Sequence, residues 1–263
     1  MMDFIYTYDF KKKDLKETLD RLYKSLNSIN YNDFNVCLIN CSRFCIKKYL
    51  NEKINYIHIP RYKGIYNRSF MINQVVEKLV TNEYFNISDI DIIYPPTFKE
   101  TIDEIIRNSN EPCRIVYFNN NMGIGDYFTY EECKNDFEIN SDFCRSKRGR
   151  AGGLGIVHTE SFKQVNGFEE RYLGYGPEDV DFNNRIIGIN KYIEIDDPRV
   201  NTYHLWHKND TPRTTYRENM RKFFYISDKI SKNYKKIIKA GEIELPNILL
   251  SQKEYNIEEI DEF

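Results

Sequence analysis

Over the first 118 residues, short apolar runs alternate with segments whose apolar residues recur at helical spacing, and this alternation constrains the fold most. Phe4–Tyr8 reads as a strand, followed by an amphipathic helix over Lys13–Leu26 with Leu15, Leu19, Leu22 and Leu26 on one face. Phe34–Ile39 and Ile54–Ile59 read as the next strands. Ser69–Val80 is helical, with Met71, Val75, Val76 and Leu79 turned inward. Tyr84–Ile87 leads into SDIDIIYPP, where Pro95 and Pro96 stop any regular element. A helix over Phe98–Arg107 precedes a strand at Cys113–Phe118. Strands joined through crossover helices pair side by side in one direction, so the pattern predicts an α/β fold with a central, mostly parallel sheet flanked by helices. Ligands of such sheets gather at the carboxyl ends of the strands, where Asp89 and Asp91 fall.

The second half is less regular. Asn119–Arg150 is polar and long, which predicts a functional or disordered loop. Pro177 followed by Glu178 and Asp179 is a helix start, since Pro suits the first turn and carboxylates its positive end. A short strand is expected after Arg199, then YHLWH, then a Lys-rich helix from about Thr214 to Ala240. The tail after Leu250 is acidic and expected to be mobile.

Composition excludes several classes. A formal charge of −2 offers no global attraction to nucleic acid or acidic membranes. None of the six cysteines forms a CxxC pair, and several lie in apolar runs, so buried free thiols are expected rather than disulfides or zinc ligands. The N-terminus carries no apolar signal region, and no stretch is apolar for long enough to span a bilayer, which gives a cytoplasmic expectation.

Four groups of residues could carry chemistry. Asp89 and Asp91 stand two apart at a strand end, on one side, where both could face a divalent cation; a plain surface turn is the alternative. His204 and His207 could ligate a metal or be structural. Glu178, Asp179 and Asp181 crowd three acids into one helical turn, either as a capped start or to meet a hydroxyl or metal. The basic run Arg145, Lys147, Arg148 and Arg150 could hold phosphates or be a solvated loop. Apart from these, the stripe Lys229, Lys232, Lys235, Lys236 and Lys239 either touches a membrane peripherally or is a solvated helix face.

Taken in order, the strand ending in DID, then GG…GFEERYLGYGPEDVD, then YHLWH resembles the GT-A glycosyltransferases, in particular the β-1,4-galactosyltransferase family and related bacterial polysaccharide glycosyltransferases. Tyr66-Asn67-Arg68 with SDIDII is similar to that family's FNRAK…SDVDL segment, and FNVCLINCS to its strand ending in an Asn near the nucleotide. The resemblance implies the GT-A fold, a Rossmann-like nucleotide-diphospho-sugar transferase fold. It would form one catalytic domain over 1–245, with a nucleotide-sugar-binding half at 1–118, an acceptor and catalytic half at 151–212, and an acidic tail at 246–263. It also implies a metal-dependent, inverting transfer of a galactose-, N-acetylgalactosamine- or glucose-type sugar from a UDP-sugar to a glycan hydroxyl. In that scheme Asp91 with His204 or His207 would bind Mn²⁺ (or Mg²⁺). Asn40, Tyr66, Arg68, Asp89 and Gly153 would contact the donor; Gly152, Tyr175 and Glu178 would contact the acceptor; Asp179 would be the catalytic base. Two departures stand out: the first strand lacks the family's Pro-Phe-Arg ending, and Gly176-Pro177 replaces its Gly-Gly before Glu-Asp. Three other readings compete: transfer to a modified nucleobase in DNA, a non-catalytic relative that binds nucleotide-sugar or glycan, and a metal-dependent hydrolase.

Overall fold

The computed structural model describes all residues except 1, 9–13, 30, 44, 61–65, 123–126, 140–148, 151–154, 175, 208–215, 233–238, 242–243 and 245–263. The strands are β1 (Asp3–Tyr8), β2 (Asn35–Asn40), β3 (Asn55–His58), β4 (Tyr84–Ser88), β5 (Ile92–Ile93), β6 (Cys113–Asn121), β7 (Gly149–Arg150), β8 (Gly155–His158), β9 (Lys191–Ile195) and β10 (Thr202–His204). The helices are α1 (Leu15–Ser28), α2 (Arg68–Leu79), α3 (Phe98–Asn108), α4 (Tyr130–Ile139), α5 (Thr159–Gln164), α6 (Glu178–Ile186) and α7 (Tyr216–Lys232).

The strands form a sheet in the order β3-β2-β1-β4-β8-β6-β10-β5, with β7 and β9 also paired to β6. The first four are the expected parallel block. The other half is mixed, because β8 runs antiparallel to both β4 and β6, and β5 antiparallel to β10. Since β5 follows β4 by only three residues, the path β4-β8-β6-β10-β5 curls back on itself and is closed by the Asp89–Asp91 turn.

Alternation along the strands divides the core. Phe4, Tyr6, Val36 and Leu38 face α1 and α3, packing with Leu19, Leu22, Leu26, Phe98 and Ile102. Ile5, Cys37, Ile39, Phe85 and Ile87 face α2, α5 and α6, packing with Met71, Val75, Phe162 and Phe182. Gly155 opens β8 at φ +119°, and a Cβ there would collide with the Ile115 carbonyl and come within 2.6 Å of Arg114 Nη1. Only glycine adopts that conformation at so close an approach.

Three expectations are corrected. Asn119–Arg150 is not irregular throughout: β6 runs on to Asn121, and α4 occupies Tyr130–Ile139. The helix starts on a reciprocal cap, in which Glu132 N donates to Thr129 Oγ1 (3.2 Å) while Thr129 N donates to Glu132 Oε2 (2.9 Å). The last helix is described over Tyr216–Lys232, with its expected start at Thr214 outside the described residues, and Ala240 sits in a turn ahead of Gly241 rather than in the helix. Cys45 is exposed; Cys37, Cys41, Cys113 and Cys133 are buried free thiols, and Cys144 lies outside the described residues. Strands β8 and β9 carried no alternation strong enough to be anticipated. No helix among the described residues is long and apolar enough to cross a membrane.

Candidate active site

The chain from Ser88 to Tyr94 builds one wall of the site. Tyr94 Oη donates to Ser88 Oγ (2.8 Å), and Ser88 Oγ donates to the Asp89 carbonyl (2.8 Å), so two buried hydroxyls clasp the ends of the acidic turn. Tyr94 Oη also lies 3.2 Å from Tyr117 Oη and accepts from Asn86 Nδ2 (3.1 Å), and its amide donates to Ser28 Oγ on α1 (3.0 Å). Buried hydroxyls with partners on every side rigidify the backbone they hold.

Beyond the clasp the two aspartates take different partners. Asp89 is partly exposed and pairs with Arg68, whose Nη2 lies 2.8 Å from Oδ1. Asp91 is buried, and its backbone carbonyl accepts from Leu205 N (2.9 Å), extending the short β5–β10 ladder by one bond. That bond brings both histidines onto the Asp91 carboxylate: His204 Nε2 is 3.4 Å from Oδ1, and His207 Nε2 is 3.2 Å from Oδ2. One donor atom from each of the three residues lies within 4.8 Å of the others. Burial alone would raise the Asp91 pKa, but the two imidazoles and Arg21 outweigh it and hold the carboxyl below its ordinary value. Oδ1 is buried and accepts no hydrogen bond, so the carboxylate has unused coordinating capacity facing two imidazoles.

The opposite wall comes from the segment leading into α6, tied to α2 by a series of bonds. Asn67 caps α2 by accepting from Phe70 N (2.9 Å), and its Nδ2 donates to the Glu170 carbonyl (2.8 Å). Gly174 N donates to the Tyr66 carbonyl (2.7 Å), and Asn73 accepts from Phe168 N (2.9 Å). Phe168 stacks on Phe182 with ring centroids 4.2 Å apart. Asp181 turns inward instead, where it pairs with Arg185 (2.8 Å), and Arg185 Nη1 donates to the Val165 and Gly167 carbonyls. One of the three clustered acids thus anchors the helix, leaving Glu178 and Asp179 beside Arg68.

The charges of this wall are coupled. Burial would lower the Arg68 pKa, but Asp89, Tyr66, Glu178 and Asp179 raise it above the ordinary value. Burial pushes the Glu178 carboxyl up to about 7; Arg68 opposes this, while Asp179 and Asp89 add to it. Glu178 Oε2 is buried and has no hydrogen-bond partner.

Of the residues singled out in the sequence, Arg68, Asp89, Glu178 and Asp179 form one electrostatic group, and Asp91, His204 and His207 form another, joined to the first through the acidic turn. Tyr66 contributes its carbonyl to the α2–α6 connection and packs against the core. Asn40 ends β2, buried, with Nδ2 donating to Tyr56 Oη (2.9 Å). Gly152, Gly153 and Tyr175 lie outside the described residues, as do Arg145, Lys147 and Arg148 of the basic run. The side chains of Lys229, Lys232, Lys235 and Lys236 do so too, while Lys239 is exposed. Two groups near Asp91 escaped the sequence reading: Tyr8, whose pKa burial raises, and Arg21, which hydrogen-bonds Tyr8. Both sit in segments whose pattern reads only as core strand and amphipathic helix. A separate cavity of about 700 Å³, lined by Asn73, Phe162, Phe168, Glu169, Arg171 and Gly241 among others, contains none of the anticipated site residues.

Comparison with known proteins agrees with this architecture. Residues 138–208 match a family model described as the N-terminal domain of galactosyltransferase, just over a quarter of the chain. No curated protein sequence matches. Among solved structures, GalNAc-T7, crystallised with UDP, GalNAc and Mn²⁺, superposes with a TM-score of 0.60 at 12% identity, over 89% of this chain and 50% of that one. Staphylococcus aureus TarS 1–349 superposes with a TM-score of 0.55 at 14% identity, over 78% of this chain and 60% of that one. A longer TarS structure gives 0.56 at 14% identity, over 89% of this chain and 40% of that one. The chain therefore spans between two fifths and three fifths of these structures' lengths. The fold they share is that of the GT-A glycosyltransferases.

Proposed function

We propose that the protein is a metal-dependent, inverting glycosyltransferase that moves a sugar from a UDP-sugar to a hydroxyl of a glycan acceptor. The observation that carries this reading is the convergence of Asp91, His204 and His207 at a turn whose other acid, Asp89, is paired to the Arg68 that faces Glu178 and Asp179. The GalNAc-T7 structure, solved with UDP and Mn²⁺, supports the same ligand classes.

Asp91, His204 and His207 would hold the cation. Two imidazole nitrogens beside one carboxylate suit Mn²⁺ better than Mg²⁺, which prefers oxygen ligands throughout. Bound there, the ion would neutralise charge developing on the leaving diphosphate. Arg68 would add a fixed guanidinium to the same anion, released in part from Asp89 as phosphate oxygens arrive. Asp179 would take the proton from the acceptor hydroxyl as it attacks the anomeric carbon, and Glu178 would orient that hydroxyl. Because the hydroxyl displaces the diphosphate directly, the anomeric configuration inverts. Asn40, Tyr66, Asp89 and Gly153 belong to the donor side of this scheme, and Gly152 and Tyr175 to the acceptor side. A single catalytic domain over 1–245, a cytoplasmic setting and a role in polysaccharide synthesis complete the reading.

A donor-hydrolysis screen tests it: purified protein with Mn²⁺ or EDTA, a panel of UDP-, GDP- and CMP-sugars, and quantified nucleotide release. The expected result is slow, Mn²⁺-dependent release from one UDP-sugar that Asp91→Ala abolishes. No release from any donor, together with no nucleotide-dependent shift in melting temperature, would sink the proposal.

A further inference from the structure

Trp206 is the only tryptophan in the chain, and it stands between the two histidines that reach Asp91. The backbone around it is fixed. Leu205 is buried with Ile93, Met122 and Tyr203, and its amide is bonded to the Asp91 carbonyl at 2.9 Å. With Leu205 turned in and both imidazoles aimed at Asp91, the indole between them projects outward, 49% exposed. A scattered exposed aromatic on a protein surface needs no explanation. This one is different in position, since consecutive Cα atoms are about 3.8 Å apart, and of the cation cluster His207 directly follows it while His204 stands two residues before it.

We propose that Trp206 is a stacking platform for the ring of a pyranose, an assignment that rests on the glycosyltransferase reading above. The indole offers a broad apolar face beside a polar site, which suits the C–H face of a sugar whose hydroxyls stay in water. Position favours a sugar over the nucleobase. In a UDP-sugar the pyranose is bonded directly to the β-phosphate, whereas uracil is separated from the diphosphate by the ribose. A side chain flanked by the residues proposed to hold the diphosphate's cation is therefore closer to the pyranose than to the base. The pyranose could belong to donor or acceptor, because both meet at the anomeric carbon.

A single tryptophan makes its own reporter. The Mn²⁺-loaded protein would be titrated with UDP, with UDP-galactose and UDP-N-acetylgalactosamine, and with a panel of methyl glycosides, following indole emission; calorimetry would be run in parallel on wild type, Trp206→Ala and Trp206→Phe. The expected outcome is that a sugar-bearing probe shifts emission beyond any effect of UDP. Trp206→Ala should weaken that probe about fivefold or more while Trp206→Phe restores most of the loss, and UDP affinity should stay within twofold. A response confined to nucleotide-sugars assigns the platform to the donor; a response to methyl glycosides assigns it to the acceptor; either supports the proposal. Equal weakening of UDP and UDP-sugar would overturn it in favour of base stacking or a structural role, and so would unchanged affinities in Trp206→Ala. Failure of wild type to bind UDP at all would instead overturn the glycosyltransferase reading, and this assignment with it.

Discussion

Glu178 is held neutral more strongly than an ordinary glutamate, and that has a consequence for stability. Its folded pKa, raised to about 7 from 4.5, means that the native state favours the protonated form. The associated stability is fully present below pH 4.5 and is lost as pH rises through 7. Glu178→Gln keeps the neutral shape without the proton. Relative to wild type it should gain on the order of 2 kcal/mol between pH 4.5 and pH 8, measured by denaturant unfolding at each pH. A stability difference flat across that range would mean that Glu178 is solvated rather than enclosed. Catalytically the same substitution should weaken acceptor binding while leaving UDP affinity unchanged, since it is Arg68 that would face the diphosphate.

Elements position these residues through small side chains and hydroxyls more than through apolar bulk. The Tyr94–Ser88 clasp predicts that Tyr94→Phe, which removes one oxygen, costs about 1–2 kcal/mol of stability and also weakens Mn²⁺ binding, because the turn carrying Asp91 loses its fastening. Ser88→Ala should do the same, and the double variant should lose less than the two losses added together. Gly155→Ala should be more damaging, about 3 kcal/mol or more by thermal unfolding, since it combines a forbidden φ with a collision against β6. Neither feature was legible in the chain. The parallel block from β1 to β4 was, because its strands and helices each bury one continuous face and so print a clean period into the sequence. Strand β8 did not, being four residues long and flanked by antiparallel neighbours. The α4 cap Thr129-x-x-Glu132 was present as a local signal but masked by the polarity around it. Among candidate site residues, the acids and histidines stand out by type and spacing, whereas Tyr8 and Arg21 approach Asp91 only through tertiary folding.

At the scale of the molecule, the proposed cation site draws on both halves of the sheet: Asp91 follows β4, and His204 ends β10. Ligand binding should therefore stabilise the whole cooperative unit. Mn²⁺ at about 100 times its dissociation constant should add about 2.7 kcal/mol, a melting-temperature rise of about 5–10 °C for a domain of this size. EDTA should reverse the rise, and His204→Ala or His207→Ala should diminish it. The curled path β4-β8-β6-β10-β5 carries one more implication. A ring of strands opens most readily at its short joints, and one of these is the β5–β10 ladder, which pairs Ile92 with His204 and Ile93 with Tyr203 and gains one further bond from Leu205 to Asp91. A cation gripped by Asp91 and His204 would act as a rivet across the joint. The amides of Ile92, Ile93 and Leu205 should then exchange with deuterated solvent more slowly once Mn²⁺ is bound, while those of β1 and β2 keep their rates. Occupancy of the site would thus be written as breathing, or its suppression, at one seam of the sheet.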